Sequence, residues 1–194
     1  MFNSAAIEVM EQRPTLWDYL ASLLLFIFGM QLGFDFPDID QRVPYLLHRS
    51  LLTHGVIVPA LFFLMMRKST HPAPRWFAMG FLVASTVHLA FDFFPKAWRG
   101  FALISIPFYG RTSSEFSWFW IGAGSVICLY LALLLIHHVL EVLVNVIGLI
   151  ASFILHGAGE RVGMALLFLL CAVGVAFALP SRAARVVKGM MQSN

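Results

Sequence analysis

Residues 76–94 read WFAMGFLVASTVHLAFDFF, a run in which His88 and Asp92 are the only ionisable side chains. About 20 predominantly apolar residues suffice for a helix to cross a bilayer, so the stretch predicts a membrane helix, opened by Pro74-Arg75 and closed by Pro95. His88 and Asp92 are four positions apart, which places them on one helix face about 6 Å apart along the axis. Ionisable groups at membrane depth are costly and mark a site, a proton path or a pairing that offsets the cost.

The rest of the chain fits a membrane setting. It is 60% hydrophobic and 12% charged, with a mean hydropathy of +0.83, which excludes an ordinary soluble domain. Working outward from Trp76–Phe94, which is the third of them, further spans are predicted at 16–34, at 51–66 with Ser50 as N-cap, at 118–136, at 142–155 and at 162–179. Phe101 to Tyr109 is apolar but too short to cross and contains Pro107, so a re-entrant or interfacial segment is expected there. The expected fold is all-α, a polytopic membrane helical bundle of about six spans forming a single integral membrane domain over 1–194. Within it lie a metal-site region at about 33–108, C-terminal spans at 117–179 and a basic tail at 180–194. Glu8, Glu11 and Arg13 ahead of the first span are not the basic leader of a signal peptide, so that span is expected to stay in the protein. Cys128 and Cys171 sit in apolar runs and offer neither a disulfide framework nor a zinc motif.

Basic residues set the orientation. Arg67, Lys68 and Arg75 follow the second span, and Arg182, Arg185 and Lys188 follow the last. Positive-inside logic puts both groups, and both termini, in the cytoplasm. Arg42, Arg49, Lys96, Arg99, Arg111 and Arg161 in the outer loops oppose that assignment.

Three polar clusters then face the same side. Asp38 and Asp40 alternate with Ile39 after Pro37, an extended stretch that aims both carboxylates one way, with Asp35 a further candidate. Paired carboxylates suit hard or borderline cations; a solvated turn between helices is the alternative. His48 precedes the second span and His54 lies about one turn into it, so they converge only if His48 folds back from its loop. His88 and Asp92 can share one ion or simply hydrogen-bond each other. Arg49 can take a phosphate bidentately or contact lipid headgroups. His137, His138 and Glu141 fall on the opposite side and read as a polar break between two spans, with Asn145 as a helix–helix hydrogen-bond partner. Trp17, Trp76, Trp98, Trp118 and Trp120 read as interfacial anchors, and His71 and His156 carry no specific signal.

The ordered set of PDID after an apolar helix, HR followed by TH before the next, then HLAFD and a downstream IPF resembles the YdjM-like family of inner-membrane metal-dependent hydrolases, itself distantly similar to zinc phospholipase C. The resemblance covers roughly Gly33 to Phe108. Gln41 stands where the family often has His, the His48–His54 segment is one residue longer than the commoner spacing, and no early His is present. The resemblance implies that Asp38, Asp40, His48, His54, His88 and Asp92 are metal ligands, and it implies a bacterial inner (plasma) membrane location.

On that reading a divalent metal, zinc or alternatively manganese, would acidify bound water to a pKa of about 7 for attack on a lipid or polyprenyl ester or phosphoester at the membrane interface. Asp38, Asp40, His88 and Asp92 form the catalytic set, and Arg49 and Arg99, with Lys96 or Arg111, neutralise phosphate. The expected partners are membrane lipids, a lipid-like substrate, and a membrane-protein partner or a second copy of the chain. The alternative is a non-catalytic membrane subunit with a structural or vestigial cluster, packing through small residues such as Gly122, Ala123, Gly124 and Ser125. A metal transporter would want its ligands near the bilayer midplane rather than at helix ends. Nothing points to nucleic acid; the basic tail suits anionic lipid.

Overall fold

Thr15 and Asp18 open the first helix with a capping box. The Thr15 hydroxyl accepts the Asp18 N–H at 3.3 Å, and the Asp18 carboxylate accepts the Thr15 N–H at 2.7 Å. The helix, α1, runs Leu16–Asp35 and buries the stripe Ser22, Phe26, Gly29, Met30 and Gly33. Leu20, Leu23, Leu24, Ile27 and Phe28 stay exposed on its other faces, as befits a helix with lipid outside and protein inside. The computed structural model describes residues 14–43, 45–94, 103–157, 160 and 162–192. Expectations that fall on Glu8, Glu11, Arg13, Pro95, Lys96, Trp98, Arg99 and Arg161 lie outside these.

The remaining elements, in chain order, are a 3₁₀ turn at Pro37–Arg42, α2 at Ile57–Met66, α3 at Pro72–Phe93, β1 at Ser105–Ile106, β2 at Gly110–Arg111, α4 at Ser114–Leu135, α5 at Val139–His156, α6 at Val162–Ala178 and α7 at Arg182–Gln192. The described chain is thus mostly helical, with one two-stranded antiparallel hairpin. Helices α1, α3, α4 and α5 are long and apolar enough to cross a membrane, or five spans result if α6 and α7, bent 76° apart, count as one. Both cysteines are free.

Helix α3 is the axle of the bundle, buried along nearly its whole length. Glycines let α1 approach it backbone to backbone: a Cβ at Gly80 would lie 2.0 Å from the Phe26 carbonyl oxygen, and one at Gly29 2.2 Å from that of Phe77. On the far side, a Cβ at Gly122 of α4 would lie 2.9 Å from the Phe93 ring, while Ser125 donates to the Thr86 carbonyl at 2.8 Å. Gly122 and Ser125 of the small-residue stretch in α4 are therefore spent on internal packing.

Several expectations change. The second span shrinks to a ten-residue helix, and residues 51–56 form turns. Pro59 explains where α2 starts, because its missing N–H and ring are tolerated in a first turn and would break a helix begun at Leu51. Asp38 and Asp40 lie in the 3₁₀ turn rather than an extended stretch, with Pro37 supplying the fixed φ of its first position. The described part of the Phe101–Tyr109 segment enters the hairpin, its turn built on Phe108 and Gly110 with φ of 65° and 109°. α5 has 18 residues, longer than the short span expected, and begins directly after the predicted break at His137-His138.

Candidate metal site

Asp40 organises the site from below. Its side chain is fully buried, and its Oδ2 accepts the Ser50 N–H at 2.7 Å and the Thr53 hydroxyl at 2.8 Å, with His54 Nδ1 at 3.1 Å. These bonds fold residues 50–54 into a tight turn in place of a helix and present the buried His54 ring to the bundle. The 3₁₀ turn follows α1 directly, so the α1–α3 contact fixes where Asp38 meets His88.

On the other side of the His54 ring, Nε2 lies 3.1 Å from Asp92 Oδ2 and 3.9 Å from Asp38 Oδ1. His88 Nε2 completes the group at 3.3 Å from Asp92 Oδ2 and 4.0 Å from Asp38 Oδ2. His48 joins from its loop, with Nδ1 3.6 Å from Asp40 Oδ1. Two sets of ligand atoms lie within 4.8 Å of one another and can hold a metal ion: Asp38, His54 and His88, and Asp40, His48 and His54. All six residues singled out as ligands in the sequence come together. Asp35 does not; it is exposed and accepts from Gln31 at 2.8 Å.

Several buried atoms here have no hydrogen-bond partner: Asp40 Oδ1, His54 Nε2, His88 Nδ1 and Asp92 Oδ2. Buried polar atoms are almost always paired, since leaving one unpaired costs about 1–3 kcal/mol. His54 Nε2 and Asp92 Oδ2 meet as an ion pair, 3.1 Å apart, and His88 Nε2 lies 3.3 Å from the same oxygen, so imidazole and carboxylate ligand atoms converge on one spot. Burial opposes charge on His54, but the Asp40 and Asp92 carboxylates outweigh it and hold the ring up at about 9. Burial likewise opposes charge on Asp40, and His54 with the Ser50 N–H outweighs it, so its carboxyl lies below the usual value. A metal must displace that His54 proton.

Arg49 lies above the cluster, its Nη2 and Nε 3.2 and 3.4 Å from a single oxygen, Asp92 Oδ1. Its backbone is left-handed, with φ of 59°, and is fixed by the hairpin: Ser105 N–H donates to the Arg49 carbonyl and Leu51 N–H to that of Ser105, both at 2.8 Å. Arg111 is exposed on β2.

The sequence reading missed His156. Its ring packs 5.0 Å from that of His88, 5.3 Å from Phe91 and stacks on Phe34 at 5.4 Å between centroids. Span alternation was the signal available: a helix that starts at the polar break far from the site must end beside it.

At the opposite end of α3, Arg75 bonds Glu141 at 2.8 Å and also His137, and Glu141 accepts from Trp76 Nε1 at 3.0 Å and from the His137 and His138 backbone N–H groups. Asn145 donates to the Glu141 carbonyl and to Met79 Sδ. This is the structural polar break expected, with Asn145 bridging helices. His71 gains a role as N-cap of α3, accepting the Ala73 N–H at 3.2 Å.

Comparison with protein-family models, curated proteins and solved structures finds no match.

Proposed function

We propose that the protein is a membrane-embedded metal-dependent hydrolase of the YdjM-like kind, acting on a lipid or polyprenyl phosphoester or ester at the membrane interface. The observation that carries the reading is that ligand atoms of Asp38, His54 and His88 lie within 4.8 Å of one another, with Asp92 Oδ2 3.1 and 3.3 Å from the two imidazole Nε2 atoms. The Asp92 oxygen 3.1 and 3.3 Å from the two imidazole nitrogens, and the Asp38 oxygens 3.9 and 4.0 Å from them, put carboxylate and nitrogen donors where they could share a cation. A nitrogen and carboxylate donor set suits zinc, with manganese the alternative.

His54, His88, Asp92 and Asp38 would hold the ion. Asp40 acts through His54 by fixing the ring and its tautomer, the usual carboxylate–histidine arrangement behind a ligand. His48 and Asp40 Oδ1 offer a second, more exposed position. When bound, a divalent ion supplies an acidified water and a Lewis acid for the ester or phosphoryl oxygen. Arg49 neutralises the anionic part of the substrate, and Arg99 is assigned the same task. The chain alternates between the two sides through six segments, α2 reaching only part of the depth. Arg67, Lys68, Arg182, Arg185 and Lys188 mark the cytoplasmic side with both termini, in a bacterial inner membrane.

The test is hydrolysis of a phosphatidate or polyprenyl phosphate by the reconstituted protein with zinc or manganese. Wild type should turn substrate over, and His88→Ala should abolish turnover while the protein stays folded. Turnover unaffected by His88→Ala, or absent with a fully loaded wild-type site, contradicts the reading.

A further inference from the structure

The hairpin that fixes Arg49 has a rigid root and a bare tip. At the root, Ile104 N–H donates to Ser117 Oγ at 2.9 Å, Thr112 N–H to the Ile104 carbonyl at 2.8 Å, and Ser105 bridges to Arg49–Leu51. At the tip, Phe108 and Tyr109 are 94% and 83% exposed, and Phe108 is held at a φ of 65° that a bulky residue rarely adopts. Large exposed side chains also occur on the segments that carry the site residues: Ile39 between Asp38 and Asp40, Tyr45 and Leu47 before His48, and Leu52 before His54. The connection at the other end of the bundle between α2 and α3 is instead Arg67, Lys68, Ser69, Thr70 and His71. Aromatic residues of this kind favour the headgroup layer of a bilayer over bulk water.

Arg49 completes the arrangement. Both its engaged N–H groups go to one oxygen of Asp92, and it makes no other side-chain hydrogen bond among the described residues. A guanidinium presents a fork of donors suited to phosphate oxygens. We infer that the 105–111 hairpin is a membrane-interface clasp: its aromatic tip seats the mouth of the His/Asp site in the headgroup layer, where Arg49 takes the phosphate of a membrane-resident amphiphile. The inference deepens the functional reading and, for the route of the substrate, rests on it. The depth of the tip does not.

The experiment measures depth without turnover. The full chain, in a Cys171→Ala background, carries an environment-sensitive fluorophore at Phe108→Cys or Tyr109→Cys and is reconstituted in vesicles. Both labels should be quenched several-fold more by nitroxide lipids labelled near the headgroup than by aqueous iodide. Free quenching by iodide at both positions, without lipid quenching, overturns the clasp whether or not the protein hydrolyses anything. Binding of inorganic phosphate and of vesicle-borne phosphatidate then identifies the source of the phosphate. Arg49→Gln and the Phe108→Asp, Tyr109→Asp double variant should each lose most of the phosphatidate binding. Inorganic phosphate bound as tightly as phosphatidate, with the double variant unchanged, overturns the membrane route.

Discussion

Two polar clusters occupy the two ends of α3, about 20 Å apart along its axis by helical rise, and they are built on opposite principles. Around Arg75 and Glu141, the carboxylate receives a guanidinium, an indole N–H and two backbone N–H groups, one or more on each oxygen. Around His88 and Asp92, Asp40 Oδ2 and Asp92 Oδ1 take the hydrogen bonds, while Asp40 Oδ1, Asp92 Oδ2 and His54 Nε2 meet only other members of the cluster, as ion pairs at 3.1–3.6 Å. A carboxylate hydrogen-bonded on both oxygens from neighbouring elements holds helices together; carboxylates and imidazoles that meet one another only as ion pairs keep ligand atoms that a cation can share. Composition does not separate the two, since both combine His, Arg and a carboxylate.

The contrast breaks most sharply at Glu141. Glu141→Ala should cost about 3–5 kcal/mol by leaving Arg75 buried without its carboxylate, read as loss of thermal stability in detergent with no change in metal bound per folded chain. Gly80→Ala comes next. With Phe26 carbonyl oxygen 2.0 Å from the added Cβ, α1 and α3 must separate, at a cost of about 1–3 kcal/mol. Because that contact sets the Asp38–His88 separation, metal affinity should fall too. Asp40→Asn should lower metal affinity about 10–100-fold by loosening His54 and the 50–54 turn that carries it, measured by competition with a chelating dye, and leave the Arg75–Glu141 pole intact.

A smaller effect concerns pH in the metal-free protein. His54 is raised from 6.5 to about 9, so its contribution to stability is complete below 6.5 and is lost as pH rises through about 9. Asp40 is lowered, so its contribution is present above 3.8 and is lost as pH falls through its depressed value. Melting temperature against pH should therefore decline on the alkaline side in wild type. A His54→Gln variant, lacking the titrating ring, should show a flatter alkaline limb.

Much of this was legible in the residues. The i, i+4 spacing of His88 and Asp92, the paired aspartates after Pro37 and the two flanking histidines identify the cluster, and hydropathy finds the helices that carry it. The Gly29, Gly33 and Gly80 seam between α1 and α3 was not among the expectations and emerges only from the packing. What the residues conceal is local: that Asp40 captures the Ser50 N–H and Thr53 hydroxyl and so prevents a helix at Leu51, and that Pro59 delays α2. Long-range packing hides more. His156 is distant in sequence from every other member of the cluster, and only the return of α5 to the same side of the bundle brings it to His88.

The most direct test of the account is metal content per chain of the purified full-length protein after zinc reconstitution, for wild type, His54→Ala and Glu141→Gln side by side. About one tightly held ion is expected in wild type and in folded Glu141→Gln, with loss of that ion in His54→Ala. Equal metal in wild type and His54→Ala, or none in either, would contradict it.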